Sequence, residues 1–201
     1  MSEKSMDVIY EVDEPVAVIR LNRPEKLNAF TYETLDQLRD AVDKANQDPK
    51  VVGIVITGEG RAFCAGLDTT TLEKSAREGR AEEPDPDIIP GLFTYLLAVD
   101  KPVIGAINGP AAGGGFVLAC LCDVRFASPS ASFITSFSQR GLISEHGTSW
   151  IVPRLVGVGW ALDLLWTSRR LDAKKAEQLG LVQHLTEEED LVEQACNYVR
   201  D

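Results

Sequence analysis

The chain has 201 residues, enough for one domain with a full core. With 44% apolar and 25% charged residues it is neither a disordered nor a fibrous sequence, and a net charge of −11 with no basic stripe argues against nucleic-acid binding. No apolar run reaches membrane-spanning length, and residues 1–8 hold no signal-peptide core. Cys64, Cys120, Cys122 and Cys196 form no C-x-x-C pair, and three lie in apolar contexts. Free, buried thiols in a reducing, cytoplasmic setting are expected.

Taken in order, residues 8–12 and 16–21 read as strands around the turn Asp13-Glu14-Pro15. Thr31 is placed to cap a helix running to about Asn46, with Leu35, Leu38, Val42 and Ala45 on one face. The β-branched run 51–57 predicts a strand buried on both faces. A loop over 58–68 follows, with glycines at 58, 60 and 66. Residues 72–78 suggest a short helix, the acidic, proline-rich 82–87 a surface loop, and 88–99 a helix stopping before Lys101-Pro102. Strands are expected at 103–107, 124–127 and 132–134, with a short helix at 117–121 after the glycine turn. Helices are then expected over 144–155, 160–166, 173–179 and 191–200. Strands alternating with helices predict an α/β fold with mostly parallel pairing, in which ligands gather beyond the carboxyl ends of strands. The loops 58–68 and 108–115 both follow strands, so they are expected to face one pocket.

The residues that carry chemistry are few. Asn108-Gly109-Pro110-Ala111-Ala112-Gly113-Gly114-Gly115 stands at a strand-to-helix junction. Three glycines let the backbone approach closely and leave N–H groups at a helix N-terminus, where negative charge is favoured. From the glycines alone, an oxyanion site and a tight packing turn are both open. No Ser-His-Asp order, Walker lysine or dinucleotide fingerprint is present. Among the carboxylates Glu145 stands out, at the start of an otherwise apolar helix capped by Ser144. It reads either as compensation of the helix dipole or as an acid/base. His146 reads as a solvent-facing or supporting residue, and Asp68 and Asp123 as local caps or ion-pair partners.

Several motifs in order resemble the crotonase family, the enoyl-CoA hydratase/isomerase superfamily. Leu21-Asn22-Arg23-Pro24-Glu25-Lys26-Leu27-Asn28-Ala29 is similar to its N-terminal signature, and Arg61-Ala62-Phe63-Cys64-Ala65-Gly66-Leu67-Asp68 to its F-[CS]-A-G-x-D loop. Asn108 to Leu118 resembles its N-G-x-A-x-G-G-G helix start, followed by Cys122-Asp123; Pro153-Arg154-Leu155-Val156-Gly157 and residues 176–182 fit as well. The resemblance implies a spiral of stacked ββα units over about 8–130 and a helical part over about 138–201, within one domain spanning 1–201. It implies an acyl-CoA thioester substrate, with no metal and no cofactor beyond the coenzyme A that the substrate carries. The N–H groups of Ala65 and Gly114 match the positions that form the oxyanion hole. Lys26 falls where members often contact coenzyme A phosphates, and Ala65, Gly66, Leu67 and Asp68 would line the adenine and thioester side.

Hydratases of the family use two glutamates to activate water, and the matching positions here are Val117 and Phe137, both apolar. Glu145 aligns with the single carboxylate of peroxisomal-type Δ3,Δ2-enoyl-CoA isomerases. One carboxylate beside an oxyanion hole suits a proton shuttle from the α-carbon to the γ-carbon of a thioester, with Phe137, Trp150 and Leu142 as the apolar surroundings. The expectation is an acyl-CoA isomerase; the rivals are an enoyl-CoA hydratase working through Glu145 and an acyl-CoA-binding homologue without turnover. The family also implies a homo-oligomer, a trimer or dimer of trimers, and further C-terminal helices that cover the substrate and join subunits, after the point matching Asp201.

Overall fold

The computed structural model describes residues 6–68, 70–71 and 91–201. Strands β1 (Val8–Asp13) and β2 (Val16–Leu21) form an antiparallel hairpin, and helix α1 (Tyr32–Gln47) follows. Then come β3 (Gly53–Gly58), β4 (Val103–Ile107), β5 (Pro110–Ala112), α2 (Gly114–Leu121), β6 (Val124–Ala127) and β7 (Ser132–Ile134). The C-terminal part contains α3 (Thr148–Val156), α4 (Val158–Thr167), β8 (Leu171–Asp172), α5 (Ala173–Gln178), β9 (His184–Leu185) and α6 (Leu191–Arg200). A six-stranded sheet runs β1-β2-β3-β4-β6-β9, and all its pairs after the first hairpin are parallel. A second sheet of three strands runs β5-β7-β8.

The two-residue period of a strand explains how the sheet is covered on both faces. In β2, Ala17, Ile19 and Leu21 point to the side where Leu38, Val42 and Ala45 of α1 pack. Val16 and Val18 point to the other, against Leu191, Ala195 and Cys196 of α6. Every residue of β3 is buried, as its continuous apolar run requires. Thr31 caps α1 by accepting a hydrogen bond from the Thr34 N–H at 3.1 Å.

Some expectations need correction. Helix α2 begins at Gly114, three residues earlier than the apolar pattern indicated. The helix expected over 88–99 is, in its described part, a 3₁₀ turn at Thr94–Ala98, entered from Gly91 at φ +151°. Strands β5, β8 and β9 have only two or three residues and carry no periodic signal. The expected helix over 72–78 and acidic loop over 82–87 lie outside the described residues.

Arg125 on β6 ties the sheet to the helix that builds the glycine turn. It is 1% exposed, and no carboxylate pairs with it among the described residues. Its Nε donates to Leu181 O at 2.5 Å, and Nη1 donates to Cys122 O and Ala119 O at 2.5 and 3.3 Å. Those last two carbonyls belong to the C-terminal end of α2, where a cation is favoured. Arg125→Met leaves several buried carbonyls unpaired, each worth about 1–3 kcal/mol. Urea unfolding should show a loss of about 3 kcal/mol or more, and an unchanged midpoint would contradict this role.

Candidate active site

The loop over 58–68 lies against the glycine turn through backbone contacts. Asn108, just past β4, accepts from the Gly58 N–H at 3.1 Å and donates to Gly60 O at 2.8 Å. Cys64 N donates to Pro110 O at 3.1 Å and Ala112 N to Cys64 O at 2.9 Å. A Cβ on Gly115 would stand 2.1 Å from Cys64 O, so the contact requires glycine there. From the N-terminal side, Phe30 N donates to Gly66 O at 2.7 Å and Asp68 N to Phe30 O at 2.8 Å.

These contacts decide which N–H groups stay free. Ala65 N donates to Leu27 O at 2.9 Å and Gly113 N to Ile134 O at 3.0 Å. Gly66 N faces the Cys64 sulfur at 3.3 Å. Among the described residues, the N–H groups of Leu67 and Gly114 have no protein acceptor. They are neighbours: a Cβ built on Gly114 lies 3.8 Å from Leu67 N, and one on Gly66 lies 3.1 Å from Gly114 N. The expectation that Ala65 offers a free donor is therefore corrected, because Leu27 takes that proton; Leu67, two residues on, has the free one.

Ala65, Gly66, Leu67, Gly113 and Gly114 line a narrow cleft of about 70 Å³. Ser136, Phe137, Arg140, Leu142, Glu145 and His146, from a second segment, line the same cleft. This second segment is anchored to α4: Thr135 Oγ1 donates to Leu164 O at 3.1 Å and shares a hydrogen bond with Ser168 Oγ at 2.9 Å. Phe137 is 6% exposed.

Glu145 does not begin a helix. His146 and Gly147 are both left-handed, at φ +55° and +82°, so α3 starts only at Thr148, with Gly147 in the capping position. Ser144 Oγ hydrogen-bonds Thr148 Oγ1 at 2.7 Å instead of capping, and that hydroxyl also donates to Glu145 O at 2.6 Å. The result is a carboxylate on a braced loop facing the cleft. Its Oε2 lies 3.9 Å from His146 Nε2. Burial pushes the His146 pKa below its ordinary 6.5, against the opposing pull of the Glu145 charge. Burial thus favours the neutral imidazole.

The other expected residues fall elsewhere. Val117 is fully buried in the core. Trp150 does not line the cleft; it is 47% exposed, with the Arg154 guanidinium 4.1 Å from its ring. Lys26 is exposed at the end of the 3₁₀ turn Pro24–Lys26, outside the lining. Asp68 also lies outside it, 3.5 Å from Arg23 Nη2. Two hydrogen bonds from Thr70 chiefly hold its carboxyl below the usual range, and the charges of Arg23 and Lys26 add to this. Burial raises the pKa of Cys120 and Cys122 to about 12 and that of Cys64 further, so these thiols are not nucleophiles. Among the described residues no cluster fit for a metal ion occurs, and no helix is long and apolar enough to cross a membrane.

Sequence reasoning missed Leu67 as the donor, together with His146, Arg140 and Ser136. The signal for the loop bearing Glu145 was Gly147, a residue suited to the left-handed turn that delays the helix.

Residues 11–201 match the family described as enoyl-CoA hydratase/isomerase. The chain is 38% identical over 188 residues to a crotonyl-CoA hydratase of Syntrophomonas wolfei, covering 92% of this chain and 71% of the relative. It is 34% identical over 200 residues to a 1,2-epoxyphenylacetyl-CoA isomerase of Escherichia coli, covering 96% and 74%. A solved structure of a monofunctional enoyl-CoA isomerase from M. smegmatis superposes with a TM-score of 0.79 at 31% identity, over 98% of this chain and 84% of that one. The glycine turn, the loop packed on it and the parallel sheet behind them are thus those of a crotonase fold, and the chain belongs to the enoyl-CoA hydratase/isomerase family.

Proposed function

We propose that this enzyme moves the double bond of an enoyl-CoA thioester, with Glu145 as the proton carrier. The observation that carries this reading is the pairing of two free N–H donors, on Leu67 and Gly114, with one carboxylate lining the same cleft. Glu145 takes a proton from the α-carbon, and the electron pair moves onto the thioester oxygen as an enolate. Two preorganised donors hold that oxygen and contribute several kcal/mol. The proton then returns at the γ-carbon and the electrons form the new double bond, so mass is conserved. No cofactor is needed beyond the coenzyme A in the substrate, and the exposed Lys26, outside the cleft, would meet its phosphates. The names of the E. coli relative and the M. smegmatis neighbour support isomerisation. The four buried thiols suit a cytoplasmic setting. A homo-oligomer would bury the apolar side chains that α4 exposes, Trp160 at 42% and Trp166 at 71% among them.

One observation favours water addition instead. Glu145 Oε2 and His146 Nε2, 3.9 Å apart, can both accept hydrogen bonds from one water, and the S. wolfei relative is named a hydratase. Ultraviolet absorbance and mass spectrometry on 2-enoyl- and 3-enoyl-CoA separate the two, because hydration adds water and isomerisation does not.

Glu145→Gln keeps shape but carries no proton. Turnover of 3-enoyl-CoA should fall about 10²–10⁴-fold with thioester affinity held, and Glu145→Asp should keep part of it. Glu59→Gln, outside the cleft, is the control; equal turnover by parent and Glu145→Gln would remove Glu145 from the chemistry.

Gly66→Ala tests the donors. The new Cβ meets Ala112 O at 2.8 Å and Gly114 N at 3.1 Å, at a φ of +95°. Turnover should drop about 10²-fold or more, as loss of one oxyanion donor does. A fully active variant would exclude this pair as the oxyanion site.

His146 links pH to stability. Its pKa is lowered in the folded state, so the unfolded chain binds more protons below pH 6.5. Its contribution is complete above pH 6.5 and is lost as pH falls from there through the folded value. Melting temperatures between pH 7.5 and 5 should fall less steeply in His146→Gln; parallel curves would contradict this.

A further inference from the structure

Arg140 lines the cleft with Glu145, yet among the described residues its side chain has no ion-pair or hydrogen-bond partner. Several other guanidinium groups are engaged, Arg23 with Asp7 and Asp68, Arg125 with carbonyls and Arg154 on the Trp150 ring, and Arg61 and Arg170, which also lack a partner among the described residues, lie outside the cleft. Ser136, on the same segment as Arg140, is left-handed at φ +63°, a conformation that non-glycine residues rarely hold and that collects at functional sites. Hydroxyls on both sides of it, Thr135 and Ser138, bond Ser168, while Ser136 lines the cleft. The 3₁₀ turn Ser138–Arg140 connects the two, with Arg140 N bonded to Phe137 O at 3.0 Å.

We propose that Ser136 and Arg140 form an anion subsite that takes a carboxylate carried on the acyl group of the substrate. This rests on the reading of the cleft as the acyl-CoA site. The thioester oxygen belongs at Leu67 and Gly114, so the acyl carbons lie along the part of the lining that holds Glu145, which must reach them. Arg140 belongs to that lining, whereas Arg23 and Lys26 stand beside Asp68 outside it. A neutral acyl chain gains nothing from a guanidinium, but a carboxylate matches its planar fork. In a chain of net charge −11, that local cation offsets the field a carboxylate would meet.

The test uses unreactive saturated thioesters, so that binding is read without turnover. Butyryl-CoA, glutaryl-CoA and free coenzyme A are titrated calorimetrically into the parent, Arg140→Leu, Arg140→Lys and Ser136→Ala. Glutaryl-CoA should bind the parent at least tenfold more tightly than butyryl-CoA. Arg140→Leu should shrink that preference to within about twofold and leave butyryl-CoA and coenzyme A unchanged; Arg140→Lys and Ser136→Ala should keep part of it. Equal affinity for the two thioesters in the parent overturns the subsite. A loss in Arg140→Leu shared by free coenzyme A overturns it too and assigns Arg140 to a phosphate. If the parent binds coenzyme A thioesters of neither kind, the acyl-CoA reading itself fails and takes the subsite with it.

Discussion

Two stretches of backbone in this protein pass at a distance that only glycine allows. Gly115 lies so close to the Cys64 carbonyl that a Cβ would sit 2.1 Å from it. The contact fixes loop 58–68 against the start of α2, and the rest of the cleft follows from it. Cys64 bridges to β5, Phe30 closes on Gly66, and Leu27 takes the Ala65 proton. What those bonds leave over is a pair of adjacent donors, Leu67 and Gly114. Their rigidity comes from the fold, because Asn108 ties the end of β4 to the loop after β3 and Arg125 on β6 holds the C-terminal end of α2.

The second segment of the lining is built by different means. No sheet hydrogen bonds hold residues 135–147; side-chain hydroxyls do. Thr135 and Ser138 meet Ser168, and Thr148 holds the Glu145 carbonyl. Four left-handed residues, Ser136, Gly141, His146 and Gly147, turn the chain so that Ser136, Arg140, Glu145 and His146 share one space. Backbone strain of this kind persists where the surrounding structure over-determines it.

This division explains what could be read in the sequence. The β-branched runs of β2, β3 and β4 and the apolar face of α1 fixed their own positions, because burial on a regular element leaves a period. The glycine turn and the loop with Gly66 were legible as ligand-facing because glycine marks close approach. Which N–H in that loop stays free was not legible. It depends on Leu27, distant in the chain, which takes Ala65 and leaves Leu67. Glu145 was legible as an odd carboxylate, but its place was not. Ser144 resembles a cap, and only the left-handed turn at His146 and Gly147 shows that the helix begins later.

That later start also accounts for where the carboxylate sits. Val117, on the first turns of α2, is wholly buried and packs in the main core. A carboxylate there would lose its hydration among apolar side chains and be driven to its neutral form. Phe137 fills the matching place on the second segment and seals it. On the proposed function, with both positions apolar, the proton carrier comes from a segment that is half open to water. The loop before α3 is such a segment: the Glu145 side chain is 39% exposed, while its backbone is held by Thr148. The brace holds the carboxylate at the cleft. A single group so placed can lift a proton and set it down again, which fits a site with donors for one oxygen and one carboxylate to serve the carbons beside it.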